Sequence, residues 1–310
     1  MLIKFFADLA PTERMVMIIT KLCGGLGNQM FQYCAARQLA EKHRTILKLD
    51  ISGFEACSLR RYSLWAFNIV ENISSRGEVM ALRGCDTGRI GRRLGNIFEN
   101  IFDLRPIRKS YFREKTFAFD PNVLCLPDNV YLDGYWQSEK YFLAVAGIIR
   151  SELTLKVRES TLDRAVSRDI ERSLSVSVHV RRGDYITNEH TNRVHGACGL
   201  SYYARSAAVM QRSDWSPHFF VFSDDSVWTA SKLTLPGSTT FVDHNGPDLD
   251  FQDLRLMSKC KHHIIANSSF SWWGAWLCTN ENKVVIAPSQ WFSAGDRGTK
   301  DLIPENWIRI

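Results

Sequence analysis

A chain of 310 residues, 45% of them apolar, can build two domains with full cores, which excludes a disordered protein. The formal charge of +6 suits an anionic substrate or loose attraction to an acidic membrane surface, but the densest basic cluster, residues 89–93, is short and broken by glycine, which argues against nucleic acid as a partner. No apolar run approaches the ~20 residues of a membrane helix, Asp8, Glu13 and Arg14 interrupt any signal-peptide pattern, and the eight cysteines show no CxxC or zinc-like spacing, as in small buried hydrophobes of a reduced cytoplasmic protein.

Residues 17–22 (MIITKL) read as a buried strand. A glycine-rich turn at 24–28 follows, and 29–43 carry helical spacing with Phe31, Ala35 and Leu39 on one face. A second strand at 45–49 completes a β-turn-α-β unit, the building block of a parallel sheet. Residues 52–148 are less regular. Within them, 83–95 read as an exposed loop or short helices, 130–135 as a strand, and 139–152 as a helix leading out of the first domain.

Periodicity is clearer further on. Residues 175–180 alternate small polar and apolar residues, as a strand does, and a long polar loop follows. Then come a helix at 200–211, strands at 218–223 and 239–242, and a helix at 250–261 with Phe251, Leu254 and Met257 at core spacing. A strand at 262–266, a loop at 267–271, a helix at 272–279 and a strand at 283–287 close the pattern. Strands alternating with helices predict an α/β fold, two Rossmann-like domains facing a cleft. The expected division is 15–150 and 151–310, with 1–14 as an extension.

In an open α/β sheet, ligands bind outside the carboxyl ends of the strands. Three loops that follow strands therefore converge at one rim: Arg181-Arg182-Gly183-Asp184, Ser223-Asp224-Asp225 and Asn267-Ser268-Ser269-Phe270-Ser271. Two adjacent guanidiniums suit a doubly charged ligand, because each presents a planar fork of donors and keeps its charge. The hydroxyl-rich loop opens a helix whose N–H groups and dipole favour a phosphate. Together they describe a nucleotide site, with Arg and Ser on phosphates and Asp on ribose or base. Each piece also has a plainer reading. The arginines can salt-bridge to surface acids, 268–271 can be only a helix cap, and Asp224-Asp225 can be a turn and N-cap before Trp228. Trp272, Trp273 and Trp276 fit a core better than a ligand stack. Adjacent acids without DxD spacing are weak ground for a metal, and the glycine turn lacks the full GxGxxG spacing of a dinucleotide fold.

These residues resemble a known family. Gly24-Gly25-Leu26-Gly27-Asn28-Gln29-Met30-Phe31-Gln32-Tyr33 is similar to the N-terminal signature of the bacterial galactoside α-1,2-fucosyltransferases, glycosyltransferase family 11. His179-Val180-Arg181-Arg182-Gly183-Asp184-Tyr185 resembles the arginine motif they share with α-1,6- and protein O-fucosyltransferases. Asn267 to Trp273, with Gly274-Ala275-Trp276, resembles their C-terminal motif, and Ala287-Pro288, Trp291-Phe292 and Asp301-Leu302-Ile303-Pro304 also fit. The likeness runs over residues 17–310.

The resemblance implies the GT-B fold, GDP-β-L-fucose as co-substrate with no other cofactor, and inverting transfer without a metal. The acceptor it implies is the 2-hydroxyl of a terminal β-galactoside, in an oligosaccharide or lipid-linked glycan of a bacterial surface polysaccharide such as an O-antigen. It puts Arg182 on the β-phosphate, His179 and Asp224 or Asp225 near guanine, and the Ser268–Ser271 loop, with Asn267 and Phe270, at the donor. Gly25, Gly27, Asn28, Gln29 and His195 fall on the acceptor side. The attacking hydroxyl must lose a proton. Glu189 sits where α-1,6 relatives carry a glutamate, while Asp184 and His195 are rivals and Asp184 can instead orient the arginines. Alternatives are another linkage, such as α-1,6, or a non-catalytic glycan-binding protein on the same scaffold. The expected location is cytoplasmic, with room for peripheral contact at the inner face of the membrane. The family's first strand begins near the initiator methionine, so residues 1–14 are expected to be a dispensable tail, or translation to start at Met15 or Met17.

Overall fold

The structure, a computed structural model, describes residues 16–55, 57, 59–83, 110–211, 216–293 and 298–310. The expectations for residues 1–14 and 84–95 lie outside the described residues.

Strand β1 (Met17–Lys21) is buried by its Ile-rich sequence, with Ile18 and Ile19 inaccessible to solvent. The chain turns at Gly24, whose φ of +78° is one that side chains rarely tolerate, and enters α1 (Leu26–His43). Strand β2 (Ile46–Asp50) returns parallel to β1. Helix α2 (Arg76–Arg83), β3 (Tyr111–Arg113) and β4 (Val130–Asp133) follow, and the four strands form a parallel sheet in the order β2-β1-β4-β3. Of the helix expected at 139–152, only α3 (Ala146–Glu152) is α-helical. Phe142, with φ −142° and ψ 8°, is non-helical between two 3-10 turns, which interrupts the helix, and Tyr141 and Phe142 are buried in the core.

Helix α4 (Thr161–Arg172) opens the second half with a capping box, Ser160 and Asp163 each satisfying the other's backbone N–H. It leads into β5 (Leu174–Val180). Instead of the expected polar loop, two short helices follow: α5 (Gly183–Thr187) and α6 (Glu189–His195). Asn188 separates them and caps the second, accepting from the Thr191 N–H at 3.0 Å. Then come α7 (Leu200–Met210), β6 (Pro217–Ser223), α8 (Ser226–Lys232), β7 (Ser238–Val242), α9 (Asp250–Lys259), β8 (His262–Ile264), α10 (Ser269–Leu277), β9 (Val285–Ala287) and β10 (Ile308–Arg309). The strands form a second sheet in the order β10-β9-β8-β5-β6-β7, parallel throughout. The architecture is the two-sheet GT-B type of α/β fold.

One aromatic cluster joins the halves. Phe31 of α1 meets Trp272 and Trp273 of α10 at ring-centroid distances of 4.5 and 4.9 Å, and Phe142 stacks on Trp273 at 5.3 Å. The three tryptophans of α10 are core residues. The described cysteines form no disulfide. Cys34, Cys260 and Cys278 are buried as expected, whereas Cys57 and Cys125 are exposed. Among the described residues no helix is long and apolar enough to cross a membrane.

Candidate functional site

Parallel strands put their carboxyl ends on one rim of each sheet. Between the rims lies a cleft of about 920 Å³, lined from both halves. On one wall two helix starts meet. Helix α1 begins after Gly25 and α10 after Ser268, neither with a side-chain cap. Gly27 lies so close to α10 that a Cβ there would sit 2.5 Å from the Ser269 carbonyl carbon. Asn28 stitches the contact, its Oδ1 accepting from Ser269 Oγ at 2.7 Å and from Gln137 Nε2 at 2.8 Å. Uncapped N–H groups and two positive dipole ends make this wall an anion-binding surface.

The loop after β5, the strand next to β8, carries charge. Arg181 lines the cleft, with its guanidinium bound to Asp184 at 2.5 Å and Asp224 at 2.8 Å. Burial works against its charge, but the two carboxylates prevail and hold the guanidinium above its usual range. Arg182 points elsewhere. It is absent from the cleft lining, lies 3.4 Å over the Trp228 ring and pairs with Asp225 at 3.2 Å. Of the two motif arginines it is therefore Arg181 that lines the cleft, while Trp228 and Asp225 hold the Arg182 guanidinium.

Both acids of the Asp224-Asp225 pair serve this scaffold. Asp224 also accepts from the Arg182 backbone N–H at 2.8 Å, and a side chain on Gly183 would collide with its carboxylate. Asp225 caps α8, accepting from Trp228 N–H at 3.3 Å, so the N-cap reading holds. Ser223 receives the Thr229 hydroxyl at 2.9 Å and the Asp225 N–H at 3.0 Å while lining the cleft.

His179 lines the cleft and is buried, with Nδ1 unpartnered in the structure. Burial, then the Arg181 charge, pushes its pKa down to about 3, so the ring is neutral at physiological pH. Ser268, Ser269 and Phe270 reach the cleft, while Ser271 is buried with its hydroxyl on the Ser268 carbonyl at 3.3 Å. Asn267 lines the cleft but commits its amide nitrogen to the carbonyls of His195 and Gly196, both at 2.9 Å, and of Trp291 at 3.2 Å.

Two expectations need correction. Gln29 does not reach the cleft. Its buried amide donates to Gly24 O at 3.0 Å and Arg61 O at 2.8 Å and accepts from Ser63 N–H at 2.9 Å, so it anchors the segment around Arg61. Glu189 stands in solvent on α6, 84% exposed and paired with Arg193 one turn on at 2.9 Å, because the helix turns that face outward. His195 does line the cleft, stacked on Tyr185 at 4.9 Å. Asp184 gives one oxygen to Arg181 and the other to Arg60 at 2.5 Å, which is the orienting arrangement.

Sequence reading missed Asp250 and Asp253 in the first turn of α9, although i, i+3 spacing after a strand-end loop was a usable signal. Both line the cleft. Burial pushes Asp250 up to about 6, and its Oδ1 has no partner in the structure. Burial pushes Asp253 up to about 7. Asn245 donates to Asp253 and to Asp163, both at 2.9 Å, and His244 sits 2.9 Å from Asp163.

The family model described as Glycosyl transferase family 11 matches residues 98–310. The chain is 32% identical over 302 residues to an alpha-1,2-colitosyltransferase of Escherichia coli, covering 96% of this chain and 99% of that one. It is 34% identical over 306 residues to the O-antigen biosynthesis glycosyltransferase WbnK of Escherichia coli, covering 93% and 99%. Among solved structures it is similar to the fucosyltransferase NodZ from Bradyrhizobium, at 15% identity and a TM-score of 0.47, over 84% of this chain and 92% of that one.

Proposed function

The chain belongs to glycosyl transferase family 11, and from that premise we propose that it transfers L-fucose from GDP-β-L-fucose to the 2-hydroxyl of a terminal β-galactoside in a bacterial surface glycan. Transfer inverts the anomeric centre and uses no metal. Residues 15–150 serve the acceptor and 151–310 the donor. The observation that carries this reading is that Arg181 lines the same cleft as the uncapped starts of α1 and α10.

When the acceptor hydroxyl oxygen attacks the fucose anomeric carbon, its proton is given up to water, the bond to the β-phosphate oxygen breaks and that bond's electron pair stays with GDP. Arg181 and the helix N–H groups meet that charge, a preorganised electrostatic effect that usually dominates catalysis. Asp224 and Asp184 hold the Arg181 fork in place. The neutral ring of His179 and the carboxylates of Asp250 and Asp253 suit a guanine edge, since a carboxylate can accept from two adjacent base N–H groups. Asp224 and Asp225 are already committed to the arginines, which leaves the nucleobase to the α9 acids.

A colitose donor is the second reading, favoured by the similarity to an alpha-1,2-colitosyltransferase. Mass spectrometry and linkage analysis of products from GDP-fucose and GDP-colitose, with a panel of β-galactosides, test both. An α-1,2-fucosylated product supports the first reading and a preference for GDP-colitose the second. An α-1,6 product overturns the linkage, and glycan binding without transfer overturns the enzymatic role.

A further inference from the structure

The acid that orients Arg181 is shared with a cation from the other half of the molecule. Asp184 Oδ1 binds Arg181 and Oδ2 binds Arg60, each at 2.5 Å. Arg60 lines the cleft and is 38% exposed. The segment that follows it is anchored by backbone and side chain. Buried Gln29 holds the backbone at Arg61 and Ser63, while the Arg61 side chain pairs with Asp248 and donates to Pro247 O at 3.3 Å. The guanidinium of Arg60 is therefore delivered to the cleft by a braced piece of backbone. Among the described residues its side chain is held by an exchangeable, partly exposed ion pair with Asp184.

Resting on the nucleotide reading above, we propose that Arg60 is a phosphate-binding residue of the donor site, contributed by the acceptor-side half. A pyrophosphate beside Arg181 carries more negative charge than the single carboxylate that now holds Arg60, and offers a fork-shaped partner of the kind guanidinium prefers. Arg60 exchanges Asp184 for a phosphate oxygen, and Asp184 keeps Arg181. The donor then bridges the two halves, and Gln29 is the positioning residue behind the exchange.

Calorimetric titration with GDP and, separately, with guanosine tests this, because guanosine presents the same base and ribose without phosphate. Arg60→Gln should weaken GDP binding about tenfold or more, as expected for a lost charge-assisted hydrogen bond, and leave guanosine within about twofold. Arg60→Lys should recover part of the GDP affinity through its charge. Unchanged GDP affinity in Arg60→Gln would overturn the assignment, as would equal losses for GDP and guanosine. If the unsubstituted protein bound no GDP, the nucleotide reading itself would fall and this role with it.

Discussion

Trp273 donates its indole N–H to the carbonyl oxygen of Gly27 at 2.9 Å, tying the start of α1 to the start of α10. The same glycine leaves no room for a methyl group beside the Ser269 backbone. Gly27→Ala must therefore push two helix starts apart, where neither neighbour is a flexible side-chain tip. Overpacking of this kind costs about 1–3 kcal/mol. The variant should show a lower melting temperature by calorimetry and slower transfer, whereas a native melting curve with full activity would mean the helix starts can separate freely.

The two motif arginines should behave differently. Arg181→Ala removes the guanidinium that faces the cleft and should lower kcat by ~10²–10³, the usual cost of one preorganised donor. Arg182→Ala removes a cation stacked on Trp228 and should cost less than about tenfold, chiefly through the Asp225 scaffold. Steady-state kinetics of the two variants decide the matter, and the reverse order would return the phosphate to Arg182.

The alternation of strand and helix from residue 174 onward was legible because each central strand is a short β-rich run and each helix carries apolar residues at core spacing. The rim position of the Arg, Asp and Ser loops followed from the same alternation. What periodicity does not encode is which of two adjacent side chains faces the cleft. Trp228 decides that for Arg181 and Arg182, and it lies 46 residues beyond Arg182 in sequence. Helix α4 was missed although Ser160 and Asp163 spell a capping pattern, and Asp250 and Asp253 were missed because acids in a first turn ordinarily serve the helix dipole. Gln29 carried a motif signal whose use, anchoring Arg61 and Ser63, is purely long-range.

Glu189 offers a simple negative control. It is exposed on α6 and, among the described residues, paired with Arg193 one turn away. Glu189→Gln should leave kcat within about twofold and the acceptor KM unchanged, since exposed i,i+4 pairs contribute little. A hundredfold drop in kcat would require α6 to rotate toward the cleft when substrates bind, which substrate-bound crystallography would reveal.

Asp253 gives a pH signature whose two parts have opposite signs. Burial raises its pKa in the fold to about 7, against about 3.9 for an unperturbed aspartate. The groups facing it are Asn245, His244, Asp163 and Asp250. If its carboxylate accepts from guanine N–H groups, guanosine affinity should fall as pH drops from 8 to 6, by up to about tenfold per unit below 7, because the acceptor is being protonated. Without ligand, the folded state binds the proton more tightly than the unfolded chain, so this group's contribution to stability is full below about pH 4 and is lost as pH rises through 7. His179 works the other way, since its depressed pKa makes the fold lose stability as pH falls below 6.5. The Asp253 contribution is therefore read as the difference in melting temperature between the unsubstituted protein and Asp253→Asn. That difference should change in favour of the unsubstituted protein on acidification, while guanosine binding by Asp253→Asn becomes weak and flat with pH. A guanosine affinity that kept its full pH dependence in Asp253→Asn would move base recognition to another group.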